Sequence, residues 1–204
     1  MYPLFTTIKL EKNRLLQLDF HNQRVNYTRN QLFGSTDTWN IADMIDIPEL
    51  DADKIYRCRF LYNKNNFVTE FIPYQPRHIT KLYLVHDDQI DYSFKYTDRS
   101  RLDALRRQIP NTLDSDVLIV KNGLITETSI ANIAFSDGEK WYTPDSPLLK
   151  GTKRAFYLSN GTLTERKISP DDFSGFTSAR LINALLDLDT GNDITMDNIH
   201  NSCF

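Results

Sequence analysis

The chain has 204 residues, with 24 Lys and Arg against 27 Asp and Glu, and its formal net charge of −3 gives no global attraction to nucleic acid or to an anionic membrane. A composition of 40% hydrophobic, 12% aromatic and 25% charged residues is that of an ordinary folded protein, long enough for one compact domain or two small lobes. Two cysteines (Cys58, Cys203) and four scattered histidines (His21, His78, His86, His200) make no metal-ligand spacing, so no metal is expected, and the thiols fit a reducing, cytoplasmic setting.

The opening "MYPLFTTIKLEKN" lacks the apolar stretch of a signal peptide, and no later run approaches a membrane span. "FTTIKL" and "RLLQL" alternate around Glu11-Lys12-Asn13 and predict a hairpin. "DFHNQRVNYTRNQLFG" follows as a helix, with Asp19 as N-cap and Gly34 just past its end. "KIYRCRFLY" and "FVTEFIPY", flanking Asn63–Asn66, predict a second hairpin, so residues 1–72 make a small N-terminal α/β lobe. Two prolines in "PYQPRH" mark residues 73–78 as a linker, and residues 79–204 form a larger, β-rich C-terminal lobe. In that lobe "KLYLVHD" reads as a strand, and "DRSRLDALRRQI" as a short amphipathic helix with Leu102, Leu105 and Ile109 on one face. The Asn-Gly pair of "DVLIVKNGLITET" calls for a type I′ hairpin turn. "LLKGTKRAFYL" reads as a loop running into a helix, whereas "SARLINALLDL" fits a strand or a helix and periodicity does not choose. The coarse class is α+β in two lobes.

One stretch is chemically odd. "LITETSIANIAFSDGEKWYTP" has the apolar content of sheet strands around a Ser-Asp-Gly turn, yet Glu127 sits among them with no Lys or Arg between Lys121 and Lys140. A carboxylate taken out of water needs a partner. The segment resembles the signature of the class IV aminotransferase family, the fold-type IV enzymes that use pyridoxal 5′-phosphate (PLP). The matching elements are Glu127, the small residue Ser129, Asn132, Phe135, Thr143-Pro144, and "LLKGTKR" with Gly151, Thr152 and Arg154. The resemblance implies that the glutamate's partner is the protonated pyridine nitrogen of the cofactor, a cation brought by a ligand. It also implies a two-lobed fold, a small-molecule amino substrate and a homodimer. Read without the resemblance, Glu127 is an exposed residue on a hairpin.

The family's lysine, which forms the Schiff base with PLP, lies upstream at a strand end leading into a helix. "SFKYTDRSRL" puts Lys95 there, in a form similar to the Lys-x-x-[Asn/Asp]-Arg of aminodeoxychorismate lyases. For the phosphate, the resemblance implies Arg24 of the "His-x-x-Arg" element that begins at His21, backbone amides at Gly151 and Thr152 at a helix start, and Asn183 with Ala184 in "INALL". Plainer readings stand beside these. Lys95 is one of 24 basic residues, Arg24 a helix-surface charge, Gly151 a loop glycine and Asn183 a polar residue closing a strand.

The same site supports transamination and lyase chemistry. The Phe5-Thr6-Thr7 opening, "KYTDR" and "NAL" lean toward the lyases, where Thr7 would sit beside the substrate; otherwise Thr7 is a β-branched strand residue. The resemblance then implies conversion of 4-amino-4-deoxychorismate to 4-aminobenzoate and pyruvate in folate biosynthesis, the alternative being an aminotransferase of D-amino or branched-chain amino acids. One departure is clear. The lyases' Arg-Gly-rich loop is replaced by "YRCRFLYNKNNFV", which leaves Arg57, Arg59 or Lys153, or a partner subunit, to meet substrate carboxylates. Two other readings stay in view. Lys95, Arg99, Arg101, Arg106 and Arg107 form a basic cluster of the kind that contacts nucleic-acid phosphates, although Asp98 and Asp103 dilute it. The shortened first lobe also fits an inactive scaffold, against which stands the retention of Lys95 and Glu127 together.

Overall fold

In the computed structural model, which describes residues 2–201, the alternation of "LFTTIKLE" produces β1 (Leu4–Glu11), and β2 (Arg14–Leu15) pairs back on it through Lys12 and Asn13, both at positive φ. The expected hairpin is present, but its second strand is two residues long. Helix α1 (Leu18–Phe33) then begins on Gln17, which takes a left-handed conformation. Asp19 is therefore not the N-cap. It lies in the first turn, where its charge still favours the positive end of the helix dipole. Gly34 ends the helix as expected, donating its N–H to the Asn30 carbonyl at 2.9 Å.

The second hairpin joins β3 (Tyr56–Tyr62) to β4 (Phe67–Pro73), and its turn is closed by Asn63, whose Oδ1 accepts from the N–H of Asn65 at 3.0 Å and of Asn66 at 2.9 Å. The four strands form one antiparallel sheet in the order β2-β1-β3-β4. Leu4, Ile8, Leu10, Cys58, Phe60 and Tyr62 are buried in this first unit, most of them in one cluster with Val25, Ile41 and Ile45. Burial pushes the Cys58 thiol up to about 12, so it stays protonated and unreactive at neutral pH. Cys203 lies outside the described residues.

The chain divides into two compact units, Met1–Gln75 with Phe94–Asp98, and Pro76–Ser93 with Arg99–Phe204. Sequence alone put residue 95 in the lobe of 79–204. It belongs to the first unit because the 94–98 segment lies along β1. Phe5 N donates to the Lys95 carbonyl at 3.0 Å, Thr97 N to the Pro3 carbonyl at 2.8 Å, and Tyr96 bridges Leu4.

The second unit holds two sheets. One has the order β13-β5-β6-β7, from β5 (Lys81–His86), β6 (Ser115–Lys121), β7 (Leu124–Thr128) and β13 (Ile199–Asn201). The other is β10-β9-β8-β11-β12, from β8 (Asn132–Ser136), β9 (Trp141–Pro144), β10 (Leu163–Arg166), β11 (Ser178–Ile182) and β12 (Ile194–Thr195). Strands β5 and β6 run parallel, so a crossover is needed, and it carries the short helix α2 (Ser100–Arg106) with Leu102, Leu105 and Ile109 buried as their spacing predicts. "SARLI" resolves as strand β11, and the chain turns at Asn183 instead of continuing as a helix. Leu118, Val120, Ile125, Ile133, Phe135 and Ala179 form the centre of the core. Helix α3 (Thr152–Ser159) follows β9. No helix among the described residues is long and apolar enough to cross a membrane.

The β6–β7 hairpin carries Glu127, and its turn residues Asn122 (φ 51°) and Gly123 (φ 76°) have the left-handed geometry of a type I′ turn. Gly123→Ala forces a Cβ into that region and is expected to destabilise the fold by about 1 kcal/mol. Urea unfolding with the m-value unchanged checks it.

Candidate active site

Glu127 is buried, 5% exposed, near the end of β7. Two donors converge on its Oε2, the side-chain amide of Asn132 at 3.0 Å and the backbone N–H of Leu149 at 2.9 Å. Asn132 Nδ2 also donates to the Leu149 carbonyl at 3.0 Å. One amide thus ties together the end of β7, the start of β8 and the loop that leads into α3. The next consequence falls on Gly151, the residue before α3. A Cβ built there would collide with Asn132 Oδ1 and come within 3.2 Å of its Cγ, so only glycine lets the loop pass this close.

The turn after Glu127 is held from below. Ser129 Oγ donates to Asp116 Oδ1 at 2.6 Å, and the Ser129 carbonyl accepts from Arg99 at 2.7 Å. Asp116 is fully buried; its Oδ1 also accepts from Val117 N at 2.9 Å, while its Oδ2 has no hydrogen-bond partner among the described residues. Burial raises its carboxyl above the usual carboxylate range, with Ser129 and the Val117 N–H pulling the other way. Arg101 meanwhile pairs with Asp87, and Arg106 bonds the carbonyls of Pro110 and Thr112. Three guanidiniums of the basic cluster are thus bound within their own unit.

Thr152 opens α3 and is buried. Lys153, one of the candidates for a substrate carboxylate, is buried at 5% side-chain exposure with its ammonium on the Asp187 carboxylate. Arg154 is buried and donates to the Pro144 carbonyl at 2.8 Å and to Glu165 at 2.6 Å, locking α3 onto β9 and β10. Both polar atoms of the Asn183 side chain bond within the fold. Its Oδ1 accepts from Leu185 N at 2.9 Å and Leu186 N at 3.0 Å, and its Nδ2 donates to the Ile130 carbonyl at 3.2 Å. Ala184 sits in the turn that these bonds define.

In the first unit, the candidate residues gather on β1 and α1. Lys95 Nζ lies 4.9 Å from the centroid of the Phe5 ring, and the Arg59 guanidinium lies 5.3 Å from the same centroid. Thr7 is the cross-strand neighbour of Arg59, and Arg59 is that of Glu70, whose carboxylate it meets at 2.7 Å. On the helix side, Arg24 Nη2 donates to Thr6 Oγ1 at 2.5 Å, and the same hydroxyl lies 2.7 Å from His21 Nδ1. Sequence reasoning passed over Thr6, Asp116 and Leu149. Thr6 entered only as part of the Phe5-Thr6-Thr7 opening, Asp116 lies in a strand with no motif around it, and Leu149 acts through its backbone. Among the described residues, no group of three or more His, Cys, Asp or Glu could hold a metal ion.

The sequence model of the amino-transferase class IV family matches residues 3–188. An uncharacterized protein of Haemophilus influenzae is 34% identical over 187 residues, 91% of this chain and 98% of that protein. The crystal structure of a candidate 4-amino-4-deoxychorismate lyase from Haemophilus somnus is similar at a TM-score of 0.85 and 31% identity, covering 92% of this chain and 98% of that one. A candidate amino-acid aminotransferase from Mesorhizobium loti has a TM-score of 0.78 at 23% identity, covering 97% and 98%, a likeness of fold alone. The mixed α+β class read from the sequence agrees with these neighbours.

Two outcomes follow from the geometry around Glu127. Gly151→Ala must displace the Asn132 amide, and loss of its bonds is expected to cost about 1–3 kcal/mol in urea unfolding, with Asn132→Ala giving a loss of the same order and the two not adding. For Asp116, the folded state keeps a proton that the unfolded chain, titrating at the ordinary value of 3.8, has already lost, so its contribution to stability falls as pH rises from 3.8 through the raised folded value. Asp116→Asn should flatten that fall, which shows as a difference in urea midpoint between the two proteins that changes sign or size across this window.

Proposed function

The chain belongs to the amino-transferase class IV family of PLP-dependent enzymes, and from that premise we propose that it is a lyase converting 4-amino-4-deoxychorismate to 4-aminobenzoate and pyruvate. The observation that carries this reading is the grouping around Phe5, with Lys95, Arg59 and Thr7 on one short stretch of the first unit. It offers an amine, a carboxylate ligand and a hydroxyl together. Likeness to the Haemophilus somnus protein at 31% identity supports the choice of lyase.

The residues present suit the cofactor. Glu127 offers a buried carboxylate oriented by two N–H donors for the pyridine nitrogen, Arg24 a guanidinium for the phosphate, and the start of α3 at Gly151 and Thr152 backbone donors aided by the helix dipole. Asn183 and Ala184 would serve the phosphate through the turn backbone, since the Asn183 side chain is already engaged. When bound, PLP supplies an aldehyde that condenses with amines and a cationic ring that draws electrons from the neighbouring carbon.

Lys95 would hold the cofactor through its amine, and Nζ in its free form would be the base that takes the proton from the substrate's amine-bearing carbon. Loss of that proton and departure of the adjacent enolpyruvyl oxygen aromatise the ring, and protonation of the enol gives pyruvate. Thr7 would orient the substrate or pass that proton. Arg59 would meet a substrate carboxylate, a task that Lys153, held by Asp187, does not share here.

A second reading, an aminotransferase of D-amino or branched-chain amino acids, is favoured by one feature. Arg59 is already paired with Glu70, and the chain lacks the lyases' second loop arginine, which suits a substrate with one carboxylate better than one with two. The family resemblance further supports a homodimer, to be read by sedimentation equilibrium.

Protein incubated with PLP is expected to gain a visible absorbance band, and borohydride followed by peptide mapping should fix the added mass on Lys95. An adduct on another lysine removes the assignment. With 4-amino-4-deoxychorismate, release of fluorescent 4-aminobenzoate is expected without any keto acid, and Lys95→Arg should lower it by a factor of about a thousand or more. Turnover that depends on a keto acid and accepts many amino acids selects the aminotransferase instead.

A further inference from the structure

The face of β1 that packs against α1 is apolar except at one position. Leu4, Ile8 and Leu10 lie in the core, and Thr6 alternates with them, itself 0% exposed. Its hydroxyl meets two side chains of the helix, Arg24 Nη2 at 2.5 Å and Nδ1 of the fully buried His21 at 2.7 Å. A guanidinium can only donate, so Thr6 Oγ1 accepts from Arg24. A threonine hydroxyl has a single hydrogen to give, and a neutral imidazole with its proton on Nε2 presents Nδ1 as the acceptor for it. The relay takes the ring in that neutral tautomer; a second buried cation beside the guanidinium would be costly. Donation to the imidazole makes the oxygen a better acceptor for the arginine, since hydrogen bonds in series strengthen one another.

We propose that Thr6 is a positioning residue, whose hydroxyl, anchored on His21, aims the Arg24 guanidinium at the cofactor's phosphate. The inference rests on the reading of Arg24 as a phosphate ligand. It assigns a role to the residue beside Thr7 in the Phe5-Thr6-Thr7 opening, and gives a reason for a histidine three places before the arginine.

Equilibrium dialysis of the full chain against pyridoxamine 5′-phosphate and against pyridoxamine isolates the phosphate contribution, free of the covalent bond to Lys95. Thr6→Val should weaken binding of the phosphate ester about tenfold and leave pyridoxamine unchanged, with Thr6→Ser restoring the ester. A purely structural role would weaken both ligands alike and overturns the proposal. Arg24→Gln is the reference. If it lowers the ratio of the two affinities while Thr6→Val does not, the relay alone is overturned; if neither changes the ratio, the phosphate reading of Arg24 falls and the relay with it. Should Thr6→Val not fold, nitrogen NMR of the native chain decides, because a His21 ring proton on Nε2 is required and one on Nδ1 overturns the relay.

Discussion

The buried carboxylate of Glu127 is the constraint from which the second unit's candidate residues take their positions. Removing an ionised carboxylate from water costs several kcal/mol unless donors replace the lost hydration. Here the replacement comes from Asn132, five residues on, and from the Leu149 backbone, twenty-two residues on. Because both donors belong to segments that must be brought to the acid, satisfying it fixes the entry to β8 and the loop ahead of α3 at once. Gly151 is then a steric consequence, since the loop passes so close to Asn132 that a methyl group has no room. Lys153 and Arg154 hold the far side of α3 through Asp187 and Glu165, so the start of that helix is pinned from both ends.

The first unit follows the same physics with a different acceptor. Its sheet and helix bury aliphatic and aromatic side chains, and the polar exceptions are grouped: Thr6 with His21 and Arg24 on one side of α1, Arg29 with Asp37 and the ring of Trp39 on another. Buried polar groups that find specific partners, as these two sets do, define one arrangement of the chain, where an all-apolar interface would tolerate sliding. The segment 94–98 adds Lys95 to this unit by backbone bonds to Pro3 and Phe5, so the lysine's backbone is placed by main-chain pairing.

Local signals in the sequence carried most of the element list. Period-two alternation marked β1, the two runs flanking Asn63–Asn66 marked β3 and β4, the Asn-Gly pair marked the β6–β7 turn, and Gly34 marked the end of α1. What was not legible depends on distant partners. Gln17 makes no side-chain capping bond and heads α1 in a left-handed conformation that its residue type does not announce. "SARLINALL" has no decisive period; its strand ends where Asn183 finds Ile130, fifty-three residues away. Lys95 joins the first unit through contacts with residues about ninety positions earlier, which no window of sequence can see. The Glu127 motif was readable because several spaced residues agree, whereas its supports, Leu149 N–H and buried Asp116, leave no compositional trace.

In the function proposed above, Arg59 is where the departure from the lyase pattern meets the need for carboxylate recognition. The β3–β4 hairpin closes in a tight turn organised by Asn63, so there is no long glycine-rich loop at its end to bring a second arginine. The arginine that remains is held in cross-strand register between Thr7 and Glu70, with its guanidinium near the Phe5 ring that also neighbours Lys95. The Arg59 and Glu70 side chains are 32% and 45% exposed, and a pair so accessible to water is worth at most about 1 kcal/mol. On the proposed reading, an incoming carboxylate that made a bidentate contact with the guanidinium would gain more than that, so Glu70 would hold Arg59 in place before binding and yield it afterwards. A pre-aligned but weakly held arginine lowers the ordering cost of recognition, which a mobile loop arginine would have to meet at the moment of binding.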